Sequence, residues 1–413
     1  MDRFDNSSSR RSYLKTAGAI GALGVSGLAG CTAFGGGGES DTITIAAAVP
    51  ETGPLSSVGN EMLNGYQLGI DLLNQDGGVD GNEVELIVED DESDPKTLRE
   101  VLQQITSDNE VDMIWGSFSS PLVMAGSAFA ENQGLPFLAV ATCFEEPLTD
   151  GSKEWTYTPF PKTRDVTRAT GEILGQLPEG NRPQRVGIWE ENSGWGAEMA
   201  EAWESKLSDA GYDVAMRSTY NTGNGDFSTL ISQAESANVE ALLANPQPPD
   251  GITAMKQLRN SGYMPKFVEF VRAADPQAWW SALGEAGNSV IMSPGWAPGM
   301  TGNGNEELLN AYGEKFAESD DEIPRVMVGV GYNLAQTTLQ ALQAAESTEP
   351  DAVRSALDEE EFNTVIGDFS FDEYGMPQEG QLAAASAQWQ DGEQRLVFPQ
   401  TEQSSELTYP IEG

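Results

Sequence analysis

Residues 42–49 read TITIAAAV, residues 83–88 EVELIV, residues 111–116 VDMIWG and residues 136–140 PFLAV. Each is a short apolar run of strand length, and EVELIV alternates with period two. Helical patterns fill the gaps. Asn60–Leu73 places Met62, Leu63, Tyr66, Leu68–Ile70 and Leu73 at helical spacing and stops at Gly77-Gly78. Asp94 caps a second helix with Pro95 in its first position, running to about Ser107, and Pro121–Gln133 forms a third. Four strands alternating with three helices predict an α/β fold built on a doubly wound parallel sheet.

The pattern restarts after Pro159-Phe160-Pro161. Strands are expected at Arg185–Trp189, Asp213–Ser218, Ala241–Ala244, Lys266–Val271 and Ser289–Met292. Helices are expected at Thr163–Leu177, Gly196–Ala210, Phe227–Ala237 and Gly251–Ser261. A single core stops growing near 250–300 residues, so two α/β lobes with a cleft between them are expected rather than one large sheet. The tail adds helices at Glu306–Glu318 and Met327–Glu346 and short strands near Thr364–Phe371, Ala384–Gln390 and Gln394–Phe398. Three crossings between the lobes are expected, near Tyr157–Pro161, Met292–Pro294 and Asp372–Pro377. The first lobe then comprises residues 42–157 with 293–374, and the second 158–292 with 375–400, leaving 401–413 as a tail.

Composition excludes several functions. The chain has 413 residues and no histidine, so His-based triads and HExxH zinc sites are impossible. Its two cysteines, Cys31 and Cys143, are too far apart for a CxxC pair. No GxGxxG follows a strand, and no GxxxxGK[ST] or GxSxG exists, so no cofactor, metal or catalytic residue is expected. A net charge of −43 repels phosphates, which makes nucleic acid a poor partner. The acids are spread along the chain and arginine outnumbers lysine 14 to 8. This points to a salt-adapted protein, because self-repulsion is relieved when molar salt cuts the Debye length to about 3 Å.

The N-terminus reads as an address and an anchor. Arg10-Arg11-Ser12-Tyr13-Leu14-Lys15 is a twin-arginine element. The apolar stretch Ala17–Gly30 is too short for the roughly 20 residues of a spanning helix. Leu28-Ala29-Gly30-Cys31 resembles a lipobox, which implies cleavage of residues 1–30 and acylation of Cys31. Residues 31–41 contain Gly35-Gly36-Gly37-Gly38, a flexible tether.

Five sequence pieces now stand in order. They are Val49-Pro50-Glu51-Thr52-Gly53-Pro54-Leu55, Asn64-Gly65-Tyr66-Gln67-Leu68, Asn74-Gln75-Asp76-Gly77-Gly78-Val79-Asp80-Gly81, Glu89-Asp90-Asp91-Glu92-Ser93-Asp94-Pro95 and Gly116-Ser117-Phe118-Ser119-Ser120. From Asp41 to Phe398 the chain resembles the periplasmic solute-binding proteins of ABC importers, in particular the leucine/isoleucine/valine group, and looks like a haloarchaeal lipoprotein. That resemblance implies a type I periplasmic binding protein fold with three crossovers.

It also implies a ligand site. Ser119 and Ser120 lie where a helix N-terminus offers free N–H groups to a carboxylate, although Ser119 can equally serve as the helix cap. The resemblance places a second loop on Ala141-Thr142-Cys143, where a backbone carbonyl would hold the ligand's polar head; Cys143 also fits as a small buried residue. Trp195, between Gly194 and Gly196, falls where the family stacks an aromatic ring, though a core role suits it too. Gln247 ends the next strand. Amino-acid binders carry a carboxylate after the strand at Lys266–Val271; here Val271-Arg272 stands there. Arg272 could bind a second carboxylate bidentately or form an ion pair elsewhere.

Taken together, a lipid-anchored, monomeric extracellular binding protein is expected, with no enzymatic activity. It captures a small carboxylate-bearing solute and delivers it to an ABC permease. A sensor of the same fold, presenting solute to a receptor or transducer, is the alternative. The charge makes a direct prediction: far-UV circular dichroism should show secondary structure lost below some hundreds of millimolar KCl. An unchanged spectrum and melting point in dilute buffer would refute the salt requirement.

Overall fold

In the computed structural model of the chain, residues 42–319, 322–401 and 404–411 are described. The leader, the tether and Cys31 lie outside them. The described chain begins with β1 (Ile43–Val49), α1 (Ser56–Gln75), β2 (Val84–Asp90), α2 (Pro95–Asp108), β3 (Met113–Trp115), α3 (Ser120–Gln133), β4 (Phe137–Leu138) and β5 (Thr156–Tyr157). The five strands form one parallel sheet in the order β2-β1-β3-β4-β5. Asp94 caps α2 by accepting from the N–H groups of Lys96 and Thr97, both at 2.9 Å.

The second α/β unit follows: α4 (Thr163–Gln176), β6 (Arg185–Glu191), α5 (Gly194–Asp209), β7 (Asp213–Tyr220), α6 (Ser228–Ser236), β8 (Ala241–Ala244), α7 (Pro248–Ser261), β9 (Phe267–Phe270), α8 (Gln277–Leu283) and β10 (Ile291–Met292). Then come α9 (Asn305–Lys315), α10 (Val326–Ala345), α11 (Pro350–Glu359), β11 (Glu361–Thr364), β12 (Gly367–Ser370), β13 (Ser386–Gln390) and β14 (Glu393–Phe398). The second sheet runs β7-β6-β8-β9-β10 with parallel pairs. An antiparallel hairpin, β13-β14, extends it past β10. Strands β11 and β12 form a separate hairpin beside α10.

The parallel strands of both sheets follow one plan. In each, the first strand sits between the second and third, so connections leave in opposite directions on its two sides. A crevice opens at that switch point, outside the carboxyl ends of the strands. The chain leaves the second sheet after β10 and its helices α9 and α10 pack on α1 of the first unit. It returns to the second sheet at β13. Two of these passages touch: Thr158 N–H donates to the carbonyl of Gly375 at 2.7 Å. Asn333 on α10 donates through Nδ2 to the carbonyl of Pro159 at 2.8 Å.

Several boundaries differ from those the sequence suggests. Helix α1 begins four residues before Asn60. The tail strand expected at Thr364–Phe371 is instead the turn and second arm of the β11-β12 hairpin. The seven-residue α8 is too short for periodicity to mark. Helix α11 carries a start signal in Pro350 and a buried face of Val353, Ala356 and Leu357, so its pattern was available in the sequence. Among the described residues, no helix is long and apolar enough to cross a membrane.

Helices α1 and α10 meet at backbone distance, which only small residues permit. A Cβ on Gly65 would sit 2.1 Å from the carbonyl oxygen of Val328, and one on Gly331 would sit 2.3 Å from that of Met62. Around this crossing lie the buried Met62, Tyr66, Val328 and Tyr332. Gly65→Val should therefore force the helices apart. The expected loss is about 1–3 kcal/mol, the usual cost of overpacking a tight core, read as a lowered midpoint in urea at constant high salt. An unchanged midpoint would mean that the crossing is slack.

Candidate functional site

A cavity of 510 Å³ lies at the two switch points. The first sheet contributes loops after β1 (Pro54, Leu55), β2 (Ser93) and β3 (Ser119, Ser120). The second contributes loops after β6 (Glu191, Ser193, Trp195), β7 (Thr222, Gly223) and β8 (Gln247, Asp250). Apolar groups, among them Leu122, Met124 and Phe144, cover most of the rest of the lining.

The first wall is built by the sequence pieces quoted above. The Asp90 carboxylate accepts from the N–H groups of Glu51 (3.0 Å) and Thr52 (3.1 Å) and from the Thr52 hydroxyl (2.6 Å). These bonds hold the Asp90 carboxyl below the ordinary carboxylate range. Gly53 has φ +82°, and a Cβ there would meet the Glu92 carbonyl at 2.6 Å. Ser93 Oγ donates to the Thr52 carbonyl at 2.9 Å and accepts from Leu55 N–H at 3.1 Å. Thus EDDESDP holds the PETGPL turn in place. The loop after β3 is fixed from behind, where Tyr66 donates through its hydroxyl to the Gly116 carbonyl at 2.9 Å. Ser117 donates through Oγ to Asp91. Burial raises the Asp91 carboxyl to about 6.

Ser119 lies at the start of α3 with φ +82°, in the left-handed region that costs a non-glycine residue about 1–3 kcal/mol. It is the N-cap residue, and its carbonyl accepts from Val123 N–H at 2.9 Å, but its hydroxyl makes no capping bond. Ser120 Oγ lies 3.2 Å from Thr142 Oγ1. The first turn of α3 thus presents two serines and its N–H groups to the cavity. Across from it Trp195 stands in the first turn of α5, which Ser193 caps by accepting from Gly196 N–H at 3.0 Å. Trp195 is 6% exposed and its indole N–H has no partner. Gln247 precedes Pro248 at the start of α7, and its Oε1 also has no partner.

Four anticipated residues do not line this cavity. Ala141, Thr142 and Cys143 are buried behind it. The Thr142 carbonyl accepts from Lys162 Nζ at 2.9 Å, and the Cys143 carbonyl from Thr163 N–H at 3.0 Å. Both carbonyls are thus already engaged by donors of the chain itself. Burial pushes the Cys143 thiol up to about 11. Arg272 is 2% exposed, with Nε 2.6 Å from Asp275 Oδ2. Its guanidinium lies 5.4 Å from the Phe118 ring centroid and 5.0 Å from that of Phe160. A buried pair between two rings replaces the anion-binding arginine that the strand-end position suggests. Its charge is answered by Asp275, three residues on, which periodicity does not connect with it.

The cavity also has residues that the sequence reading passes over. Glu191 and Asp250 line it, 4% and 5% exposed. In so acidic a chain neither stands out by type; the cue is position, since Glu191 ends β6 at the switch point. Its neighbour Glu190 points the other way and pairs with Arg217 at 2.6 Å. The lobes meet beside the cavity, where Glu198 on α5 accepts from the N–H groups of Glu145 (3.1 Å) and Glu146 (2.9 Å). Phe144 closes against the backbone of Gly194, where a Cβ would lie 2.7 Å from the ring. Among the described residues no cluster of three or more acids or cysteines could hold a metal.

Residues 42–393 match the periplasmic binding protein family model. The chain belongs to that family. Like other periplasmic binding proteins it is a binding protein and not an enzyme. A Leu/Ile/Val-binding protein homologue (homolog 7) of Brucella abortus is 27% identical over 397 residues, covering 90% of this chain and 95% of the relative. The structure resembles a leucine-binding protein from Thermotoga maritima (TM-score 0.74, 19% identity, 86% of this chain and 97% of that one). It also resembles a solute-binding protein from R. palustris solved with benzoate (TM-score 0.72, 15% identity, 86% and 96%). These likenesses establish the type I periplasmic binding protein fold.

The second lobe of this binding protein contains Glu269 on β9, fully buried, with Oε1 3.4 Å from the Ser293 hydroxyl and Oε2 unpartnered. Burial raises its carboxyl to about 8, against an ordinary value of 4.5. The folded state therefore holds a proton that the unfolded chain has lost. Stability from this group is intact below pH 4.5 and falls as pH rises towards 8. Glu61 (about 8) and Asp275 (about 7) act in the same direction. Glu269→Gln should flatten the decline in melting temperature between pH 5 and 8. An identical slope in wild type and variant would show that Glu269 titrates normally.

Proposed function

We propose that this chain captures a small carboxylate-bearing solute in the cavity between two lobes and delivers it to an ABC permease. The lobes are residues 42–157 with 293–374 and 158–292 with 375–400. The observation that carries this reading is the left-handed Ser119 at the open start of α3, facing a largely apolar cavity. Free N–H groups, serine hydroxyls and the positive helix end together suit one carboxylate. The solutes named for the two solved relatives, leucine and benzoate, share a carboxylate on an apolar body. The curated relative named for leucine, isoleucine and valine agrees with this class.

Ser119, Ser120, Trp195 and Gln247 are the binding residues in this reading. The serines take the carboxylate, Trp195 covers the apolar body, and Gln247 contributes an acceptor. Closure is a hinge motion of the lobes around the solute, with no covalent step. The protein works as a monomer on the outer face of the cell membrane. It is exported by its twin-arginine leader and held there by lipid on Cys31.

A thermal-shift screen in molar KCl tests the reading, with amino acids, dicarboxylates, aromatic acids and amides as the panel. A ligand at a hundred times its Kd should add about 2.7 kcal/mol to stability, which raises the melting temperature by several degrees. At least one carboxylate should give that shift and its amide should not. No shift with any carboxylate would overturn the proposal.

A further inference from the structure

The cavity holds two carboxylates that no cation answers. Glu191 and Asp250 are both more than nine-tenths buried, and neither forms an ion pair among the described residues. Their partners are neutral. Glu191 accepts from the Thr222 hydroxyl at 2.6 Å and, more loosely, from the Ser193 hydroxyl at 3.4 Å. Asp250 accepts from Gly223 N–H at 2.8 Å. No lysine or arginine is among the residues that line the cavity, and Arg217, on the far side of β6, is committed to Glu190 and Glu204. Burial raises both carboxyls, and the Asp250 charge raises Glu191 further.

Unused polar atoms surround the pair. Tyr220 is 5% exposed, its hydroxyl has no partner, and both carboxylates bear on it. Gln247 Oε1 lines the same wall unpartnered. Two carboxylates and an amide oxygen on this wall form an acceptor-rich end that asks for a donor with positive charge, and the Tyr220 hydroxyl is buried beside them. Acids at a surface are screened by water and salt. These two are enclosed, where screening is weak and an unmatched charge is costly. The place after β9 is closed to a solute cation by the Arg272–Asp275 pair between Phe118 and Phe160.

We infer that Glu191 and Asp250 receive a positively charged nitrogen of the solute, so that the solute carries a carboxylate and a cationic group at opposite ends of an apolar body. The separation follows from the walls: Ser119 and Ser120 come from the first sheet and the acid pair from the second. A sphere of the cavity's volume is about 10 Å across, more than the span of an α-amino acid's two charges. The inference rests on this cavity being the solute site.

The test is calorimetric titration of the full chain in molar KCl with 6-aminohexanoate, its isomer norleucine, and hexanoate. Wild type should bind 6-aminohexanoate at least tenfold more tightly than either of the others. In the near-isosteric double variant Glu191→Gln/Asp250→Asn that advantage should vanish while hexanoate binding persists, which also shows that the variant is folded. Hexanoate or norleucine binding as tightly as 6-aminohexanoate, or a variant that keeps the preference, would overturn the inference. So would an absence of binding by all three. A carboxylate from the thermal-shift panel that still binds in that case leaves the capture reading standing and removes only the charge-separated class.

Discussion

Everything that faces the cavity is there because two parallel sheets reverse their strand order at equivalent places. Parallel strands all end at the same edge, and at the reversal the two adjoining connections diverge and cannot fill the gap. Each sheet thus supplies a crevice whose rim consists of strand-end loops and helix N-termini. Packed together, the crevices make one enclosure in which polar groups from both sheets face a largely apolar lining. The α1–α10 crossing and the Asp90 bonds serve that geometry by fixing where the loops stand.

Charge is the second constraint, and it works through scarcity. The chain has 22 basic residues against 65 acidic ones, and among the described residues the buried cations Lys162 and Arg272 are both engaged within the chain. Lys162 donates to the Thr142 carbonyl, and burial lowers its ammonium to about 8. Arg272 is held by Asp275 and two rings. Consequently the positive character of the site comes from backbone N–H groups at α3, and its negative character from acids left over at β6 and α7.

The fold was legible because its signals are local. TITIAAAV, EVELIV and the Asp94-Pro95 cap each predict an element without reference to the rest of the chain. Ser119 and Ser120 also stand out locally, at a strand end before a helix, whereas the family resemblance is what singles out Trp195 and Gln247; all four line the cavity. What stayed hidden depends on partners distant in sequence or on the direction a side chain takes. Arg272 looked available because its match, Asp275, carries no pattern that ties it to the cleft. Lys162 occupies the Thr142 carbonyl from 20 residues away. Glu191 was masked by abundance: in an acidic chain, only burial separates a carboxylate that matters from one that keeps the surface hydrated.

The passages between the sheets carry a consequence for how the enclosure can open. Thr158 and Gly375 belong to different passages yet share a backbone hydrogen bond, and Pro159 is held by Asn333 on α10. Segments joined in this way can bend together, but neither can advance past the other without breaking a buried bond. These bonds oppose sliding of one lobe along the other more than they oppose bending. Under the proposed hinge closure the joined segments would bend as one pivot, and entry and exit of a solute would share that coordinate.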